Sequence, residues 1–323
     1  MNLLINKVVL FIGPVFYDYH LHIIKGLEQK GAKVIFYPER KYNKLFSLLL
    51  HLSLKKLEKY QQNHYKKILK NIETFDCIDY LFVVRGYKIP CDFIRSLRVK
   101  YPEIKTIMYQ WDSQYNNPYI HLRCEFDVLA SFDYNDAEKY QIYYRPLFYT
   151  PDLESINKNN RIIYDYFYIS GYTYERYLKL QLLLSSLSNK TIKYVLYIPF
   201  TTYIKEWFKG HYLNPFYLLF RPLKRTKYIE LLSQSQIMLD ITHSKQSGLP
   251  IRIIEAMAAG LNILTTNENV LREFPESDRI SIISSSYSLS ESLIPEGKSE
   301  INLFYYSLDC FLDELFSLSF QNK

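Results

Sequence analysis

The chain has 323 residues, 48% of them hydrophobic and 23% charged, a composition that excludes wholesale disorder and predicts two domains of ordinary size. Its formal net charge is +7, and residues 41–72, with eight lysines against the single acid Glu58, carry all of that excess, so no nucleic-acid partner is expected. Four scattered cysteines (Cys77, Cys91, Cys124 and Cys310) form no CxxC pair, which argues against zinc ribbons and disulfide frameworks and for a reduced, cytoplasmic compartment.

The first stretch, MNLLINKVVLFIG, has Lys7 inside its apolar run and no small-residue cleavage site, so it reads as a buried strand over Lys7–Ile12 rather than a signal peptide. A helix over Tyr17–Lys30 follows, stopped by Gly31, and Lys33–Tyr37 completes a β-α-β unit. Residues 39–85 contain neither Gly nor Pro, and Lys44–Lys70 sets leucines among lysines in the pattern of one or two amphipathic helices. The apolar run at Leu48–Leu54 is interrupted by His51 and Ser53 and is too short to span a bilayer. Strands are predicted at Tyr80–Val84, Lys105–Gln110, Asp127–Ser131 and Tyr143–Phe148, with helices at about Pro90–Lys100 and Asp136–Tyr140.

At Thr150–Asn160 the alternation lapses into polar turn residues, TPDLESINKNN, which predicts a linker. It then restarts, with strands at Asp165–Ser170, Lys193–Ile198, Leu218–Phe220, Gln236–Ile241, Leu261–Thr265 and Arg279–Ile283. Helices are predicted at Tyr174–Leu187, Lys224–Ser233, Leu249–Ala259, Asn269–Phe274 and Ile301–Leu318, and the stretch before Tyr217 reads as irregular. The expected architecture is α/β, two doubly wound Rossmann-like domains facing a cleft: residues 1–152, residues 161–300, and a C-terminal helix in 301–323 that crosses back to the first domain. Ligands of such sheets bind beyond the carboxyl ends of the strands.

The most informative stretch is DITHSKQSGLPIRIIEAMAAGLNILTTN, Asp240–Asn267. A strand ends, a loop carries His243, Ser247 and Gly248, and Pro250 opens a helix that Gly260 closes. The free amides of that helix start suit a phosphate. Arg252 and Glu255, three apart, share a face, where a cation can hold a diphosphate while a carboxylate accepts ribose hydroxyls. The segment resembles the sugar-nucleotide-binding part of GT-B-fold bacterial glycosyltransferases of the capsule and lipopolysaccharide type and the spore-maturation CgeB-like group. Gly248, Leu249, Arg252, Glu255, Ala256 and Gly260 match their GLxxRxxEAxxxG pattern. The likeness extends more loosely back to Gly171, and into the first half through YQWDSQ and FDVLASFDYNDAEKY. It implies a nucleoside-diphosphate sugar as donor, with Glu255 on the ribose and Arg252 with the helix start on the diphosphate. It also implies surface-polysaccharide biosynthesis as the setting.

Many retaining GT-B enzymes carry a second glutamate eight residues earlier; here that position is Ser247, so a retaining mechanism is not supported, although inversion is not established either. Arg221 and Arg225, with Lys224, lie in a turn that in this fold borders the donor, and Arg176 follows the Gly171 loop; each is a candidate to offset the charge of a leaving diphosphate. No DxD triplet occurs, so a metal-free reaction with no cofactor is expected. An inverting transfer needs a base, for which Asp112 and Asp18 are favoured over Asp133, and Trp111 beside Asp112 suits stacking on a sugar ring or a place in the core. His20 and His22 read as packing residues of the first helix.

The lysine-rich residues 41–72 have two readings, docking on the anionic inner face of a membrane as a peripheral protein, or a helix with its lysines in water. The expected function is therefore transfer of a sugar to a glycan or lipid-linked acceptor. The rivals are a non-catalytic nucleotide-sugar-binding partner protein and a sugar-nucleotide epimerase.

Overall fold

The structure, a computed structural model, describes residues 4–154, 156, 161–187, 189–243, 245–284, 295, 297 and 299–319. Most of the predicted linker, at 155 and 157–160, and Ser244 of the donor loop lie outside the described residues. The chain forms two compact units, one of residues 4–147 with 307–319, the other within 148–306.

The first unit runs β1 (Val8–Gly13), α1 (Tyr19–Gln29), β2 (Lys33–Pro38), α2 (Lys44–Leu52), α3 (Leu54–Ile72), β3 (Tyr80–Val84), α4 (Cys91–Lys100), β4 (Lys105–Gln110), β5 (Val128–Ser131), α5 (Tyr134–Tyr140) and β6 (Tyr143–Tyr144). Its six strands are all parallel in the order β2-β1-β3-β4-β5-β6. Strands buried on both faces need continuous apolar runs, and Tyr80–Val84 is buried at every position. The predicted last strand, to Phe148, stops at Tyr144, since Pro146 has no N–H to give a ladder.

The second unit runs β7 (Tyr164–Gly171), α6 (Tyr174–Ser186), β8 (Ile192–Tyr197), α7 (Phe200–Phe208), β9 (Leu218–Leu219), α8 (Arg225–Ser233), β10 (Ser235–Asp240), α9 (Ile251–Ala258), β11 (Asn262–Thr265), α10 (Val270–Glu273) and β12 (Ile280–Ile282). It is again a six-stranded parallel sheet, ordered β12-β11-β10-β7-β8-β9. The doubly wound α/β class expected from the sequence is what the chain adopts. In each sheet the strand order reverses beside the first strand, between β1 and β3 and between β7 and β10, and it is outside such reversals that crevices open for ligands.

The last helix, α11 (Leu308–Leu318), belongs to the first unit. It starts at Leu308 rather than Ile301 because Ser307 caps it, accepting from the Cys310 amide at 3.2 Å. Phe311, Leu312, Leu315 and Phe316 are fully buried, and such side chains are worth about 1.5–3 kcal/mol each when taken from water. Phe316 packs edge-on against Tyr80 and Phe82, and Phe311 against Tyr109. Lys30 bridges Asp309 and Asp313 at 2.6 and 2.7 Å, and buried Arg145 meets Glu314 at 2.7 Å. Helix α7 lies in the stretch read as irregular. Pro199 precedes it, and Gly210, with φ +80°, follows its end. Among the described residues no helix is long and apolar enough to cross a membrane.

Candidate functional site

In the second unit, β7 and β10 end side by side at the strand-order reversal, and their last residues are Gly171 and Asp240. Asp240 is fully buried: Thr242 and Thr265 donate their hydroxyls to Oδ2 at 2.5 and 2.6 Å, and the Arg252 guanidinium pairs with Oδ1. Arg252 stands in the first turn of α9, so the helix that follows β10 returns its second residue to the end of that strand. Its Nε is buried with no hydrogen-bond partner.

Arg176 occupies the first turn of α6, after Thr173, which caps that helix through its hydroxyl. Its Nη1 reaches the Gly171 carbonyl at 3.5 Å, and its Nε too is buried without a partner. Burial and then the like charge of Arg252 press its pKa below the usual guanidinium value. His243, just beyond β10, is held below the ordinary histidine value by burial and then by the Arg176 charge, and is thus biased towards neutral imidazole. Two guanidiniums and a histidine therefore converge on the end of the β7–β10 pair, where the Asp240 carboxylate pairs with Arg252 and is felt by Arg176. Nothing in side-chain position forbids a ligand close to the backbone at Gly171, where an added Cβ would meet no atom within 4 Å.

The loop into α9 is braced from below. Asn267 donates to the carbonyls of Ser247 and Gly248 at 3.4 and 3.2 Å, and both of those residues are buried. Pro250 is the N-cap of α9 and no side chain caps the helix; the Ile253 amide donates to the Pro250 carbonyl at 2.9 Å, so the Ile251 and Arg252 amides are the ones that suit a phosphate.

Glu255, one turn further on, has a different environment. It is 1% exposed and accepts from Nη1 of Arg225 at 2.7 Å. Arg225 also makes a two-pronged pair with Asp152, at 2.9 and 3.0 Å, and donates to Thr150 at 2.7 Å. Arg252 and Glu255 thus share a helix but not a partner, one bound to β10 and the other to α8. Arg221 is exposed in the turn before α8, and no side chain of the Arg176–Arg252 group reaches it among the described contacts.

In the first unit, three charged residues follow three strands. Glu39 follows β2 and is wholly buried, Arg85 follows β3, and Asp112 comes two residues after β4. Arg85 and Gly86 both take positive φ, 63° and 64°, and this left-handed turn aims the arginine along the sheet end. A Cβ on Gly86 would come within 2.7 Å of Val83, so only glycine fits there. Arg85 makes a two-pronged pair with Glu39, and Asp112 stands 3.5 Å from its Nη1. Burial raises the Asp112 pKa above the ordinary carboxylate value, with Arg85 opposing. Asp18 lies apart, exposed in the turn after β1 at φ 62°, and its side chain caps nothing. Asp133 accepts from the Asp136 amide as the cap of α5, and Trp111 is half-buried edge-on to Tyr19. His20 packs on Phe36.

No family model and no curated protein matches the chain. Solved structures do. AviGT4, a glycosyltransferase involved in avilamycin A biosynthesis, aligns with a TM-score of 0.59 at 10% identity, covering 98% of this chain and 97% of that one. UDP-GlcNAc 2-epimerase from Neisseria meningitidis, bound to UDP-GlcNAc, aligns with a TM-score of 0.56 at 11% identity, covering 98% and 100%. Sucrose-phosphate synthase from Thermosynechococcus elongatus aligns at 0.55 with 11% identity, covering 98% and 92%. The fold is of the GT-B type. At these identities the likeness establishes architecture alone.

On this GT-B fold, the donor-side residues that sequence reasoning singled out, Arg221 apart, fall into two places in the second unit. Gly171, Arg176, His243, Ser247, Gly248 and Arg252 gather around the β7–β10 ends and the start of α9, whereas Arg225 and Glu255 form a buried pair. Sequence reasoning did not single out Asp240, Glu39 or Arg85. A signal for all three was present, since each is a charged residue at or just after the end of a predicted buried strand.

Proposed function

We propose that the protein is a GT-B glycosyltransferase that moves a sugar from a nucleoside-diphosphate sugar to a glycan or lipid-linked acceptor, on the cytoplasmic side of a membrane where surface polysaccharide of the capsule or lipopolysaccharide kind is assembled. The observation that carries this reading is the convergence of Arg176 and Arg252, each with a buried unpartnered Nε, beside the uncapped start of α9. Two cations held close, only one of them paired with a carboxylate among the described residues, fit a dianionic diphosphate. Arg176, Arg252 and the α9 amides take the charge of the departing nucleoside diphosphate, with no metal ion or other cofactor required, while Gly171, His243, Ser247 and Gly248 line the donor. Arg225 holds Glu255, and Glu255 meets the ribose through that fixed position; Arg221 lies at the outer edge.

The acceptor oxygen attacks the anomeric carbon as the bond from that carbon to the diphosphate oxygen breaks. Where configuration inverts, the hydroxyl proton goes to a carboxylate. Asp112 suits that task better than Asp18, because its raised pKa makes it the stronger base and Arg85 fixes its position.

The likeness to UDP-GlcNAc 2-epimerase over its full length supports a second reading, epimerisation of the nucleotide sugar. One assay separates them. The protein is incubated with a panel of nucleotide sugars, with and without glycan or lipid-linked acceptors, and the released nucleoside diphosphate and the recovered sugar are analysed. Acceptor-dependent release is expected. An altered nucleotide sugar formed without acceptor would make the protein an epimerase, and donor affinity with no turnover under any acceptor would leave it a binding protein.

A further inference from the structure

Helix α2 is built unlike the other helices of its unit. Of its nine residues only Phe46 is buried. Leu45, Leu48 and Leu52 are 48%, 53% and 70% exposed, and their i, i+3, i+7 spacing, joined by Leu49, puts them in one stripe. Leu54, at the start of α3, is 63% exposed as well. A stripe of leucines facing water is costly unless something apolar covers it.

Helix α3 is the opposite. It buries Leu57, Gln61, His64, Tyr65, Ile68 and Ile72 at helical spacing and turns its lysines outward. Lys41, Lys66, Lys67 and Lys70 rim a cavity of about 410 Å³ that also takes in Tyr60, Asn63 and His64. None of these four lysines forms an ion pair among the described residues. The one acid of the stretch, Glu58, is already bound to Lys88 at 2.9 Å. The positive charge is thus unneutralised and sits next to the leucine stripe, since α2 and α3 pack together and Asn43 before α2 donates to Tyr60 of α3 at 2.9 Å.

We propose that α2 is an in-plane membrane anchor whose leucine stripe enters the interfacial layer of an anionic bilayer while the Lys41–Lys66–Lys67–Lys70 cavity takes a lipid phosphate. The occupant is an anionic lipid surface because of charge complementarity: lysine-flanked leucines on a short helix match a phosphate layer over acyl chains, whereas a second copy would bring lysines against lysines. This deepens the membrane-side part of the reading above and rests on it for its purpose; the physical argument is its own.

The test is flotation of the full chain with vesicles of phosphatidylcholine alone and of phosphatidylcholine with about one third phosphatidylglycerol, at low and moderate salt. The variants are Leu45→Ser/Leu48→Ser/Leu52→Ser and Lys66→Ser/Lys67→Ser/Lys70→Ser, each checked for an unchanged circular dichroism spectrum and melting temperature. All the substituted side chains are exposed, so folding should persist. Binding to the anionic vesicles only is expected, with either triple substitution weakening it on the order of tenfold or more. Absence of anionic-vesicle binding by the parent overturns the proposal. Binding that the lysine variant loses but the leucine variant keeps overturns the anchor, because it reduces the surface to electrostatic adsorption. Concentration-dependent dimers abolished by the leucine substitutions, without vesicle binding, would make α2 a self-association face and also overturn it. Donor-induced thermal shifts, measured in parallel without vesicles, report on the nucleotide-sugar site alone, so either can fail without the other.

Discussion

Arg252 is locked on the buried carboxylate of Asp240, and Arg176, whose charge Arg252 opposes, forms no ion pair among the described residues. In the unliganded protein that arrangement is unfavourable to Arg176, and an anion relieves it. Arg176→Ala is therefore expected to leave the melting temperature unchanged or to raise it, while weakening nucleoside-diphosphate binding by roughly ten- to a hundredfold, the scale of one charge-assisted hydrogen bond lost. Arg252→Ala is expected to weaken binding as much and also to lower stability, because Asp240 keeps its burial and loses its cation. Thermal melts with and without a nucleoside diphosphate check both; a nucleotide response in Arg176→Ala equal to that of the parent would sink the site.

Glu255 and Arg225 give a contrasting case. Breaking a buried ion pair from one side leaves a charge without compensation, at a cost of about 3–5 kcal/mol. Glu255→Ala is expected to reduce stability sharply even without ligand, because Arg225 keeps Asp152 and Thr150 but loses the carboxylate at its buried Nη1. Glu255→Gln keeps the hydrogen-bond acceptor and should recover most of that loss. Denaturant unfolding of the two variants measures the difference. Donor affinity of Glu255→Gln, which is still folded, then reports on ribose binding free of the stability effect.

Asp112 offers a pH signature. Its folded-state pKa is raised by burial, so the folded chain holds this proton at a higher pH than the unfolded chain does. Between the ordinary carboxylate value and the raised one, stability falls as pH rises, because ionisation is easier in the unfolded state. Asp112→Asn removes that loss and should not lower the melting temperature at neutral pH. If Asp112 is the base, the same variant should lose about 10²- to 10⁴-fold in kcat, and the acid limb of the parent's rate profile should lie above the ordinary carboxylate range. A variant with unchanged kcat would remove Asp112 from the reaction and return attention to Asp18.

The alternating strands and helices were legible in the sequence because parallel strands buried on both faces must be continuous apolar runs, and KVVLFI, YLFVV and QIMLDI have no other use. The loop and helix from His243 to Arg252 were legible for a related reason, since Gly248, Pro250 and Gly260 punctuate a short helix at its boundaries. Pairings across sequence were not. Glu39 and Arg85 are 46 residues apart, and Arg225 and Asp152 are 73 apart, so no local pattern joins them. The counter-ions that Arg252 and Glu255 take, Asp240 and Arg225, were illegible for the same reason, since both come from other elements. Helix α7 escaped notice because FTTYIKEWF is rich in β-branched and aromatic residues, which carry weak helix propensity.

That helix has a testable support of its own. Glu206 in α7 is almost fully buried, and its pKa is held down to about 2, first by the hydrogen bond to Nδ1 of His211 at 2.7 Å, then by Lys209 at 2.7 Å and Tyr172 at 3.0 Å. A depressed carboxylate stabilises the fold fully above the ordinary glutamate range and loses that contribution as the pH falls through about 2. Glu206→Gln is therefore expected to melt at a lower temperature than the parent at pH 6–7, with the gap narrowing steadily on acidification and closing near the bottom of that window. The ring of His211 stacks on Tyr174 at 3.6 Å, so the loss should spread to the start of α6. Melting curves of the two proteins between neutral and strongly acidic pH decide the matter: a gap independent of pH would mean that Glu206 acts by shape rather than charge.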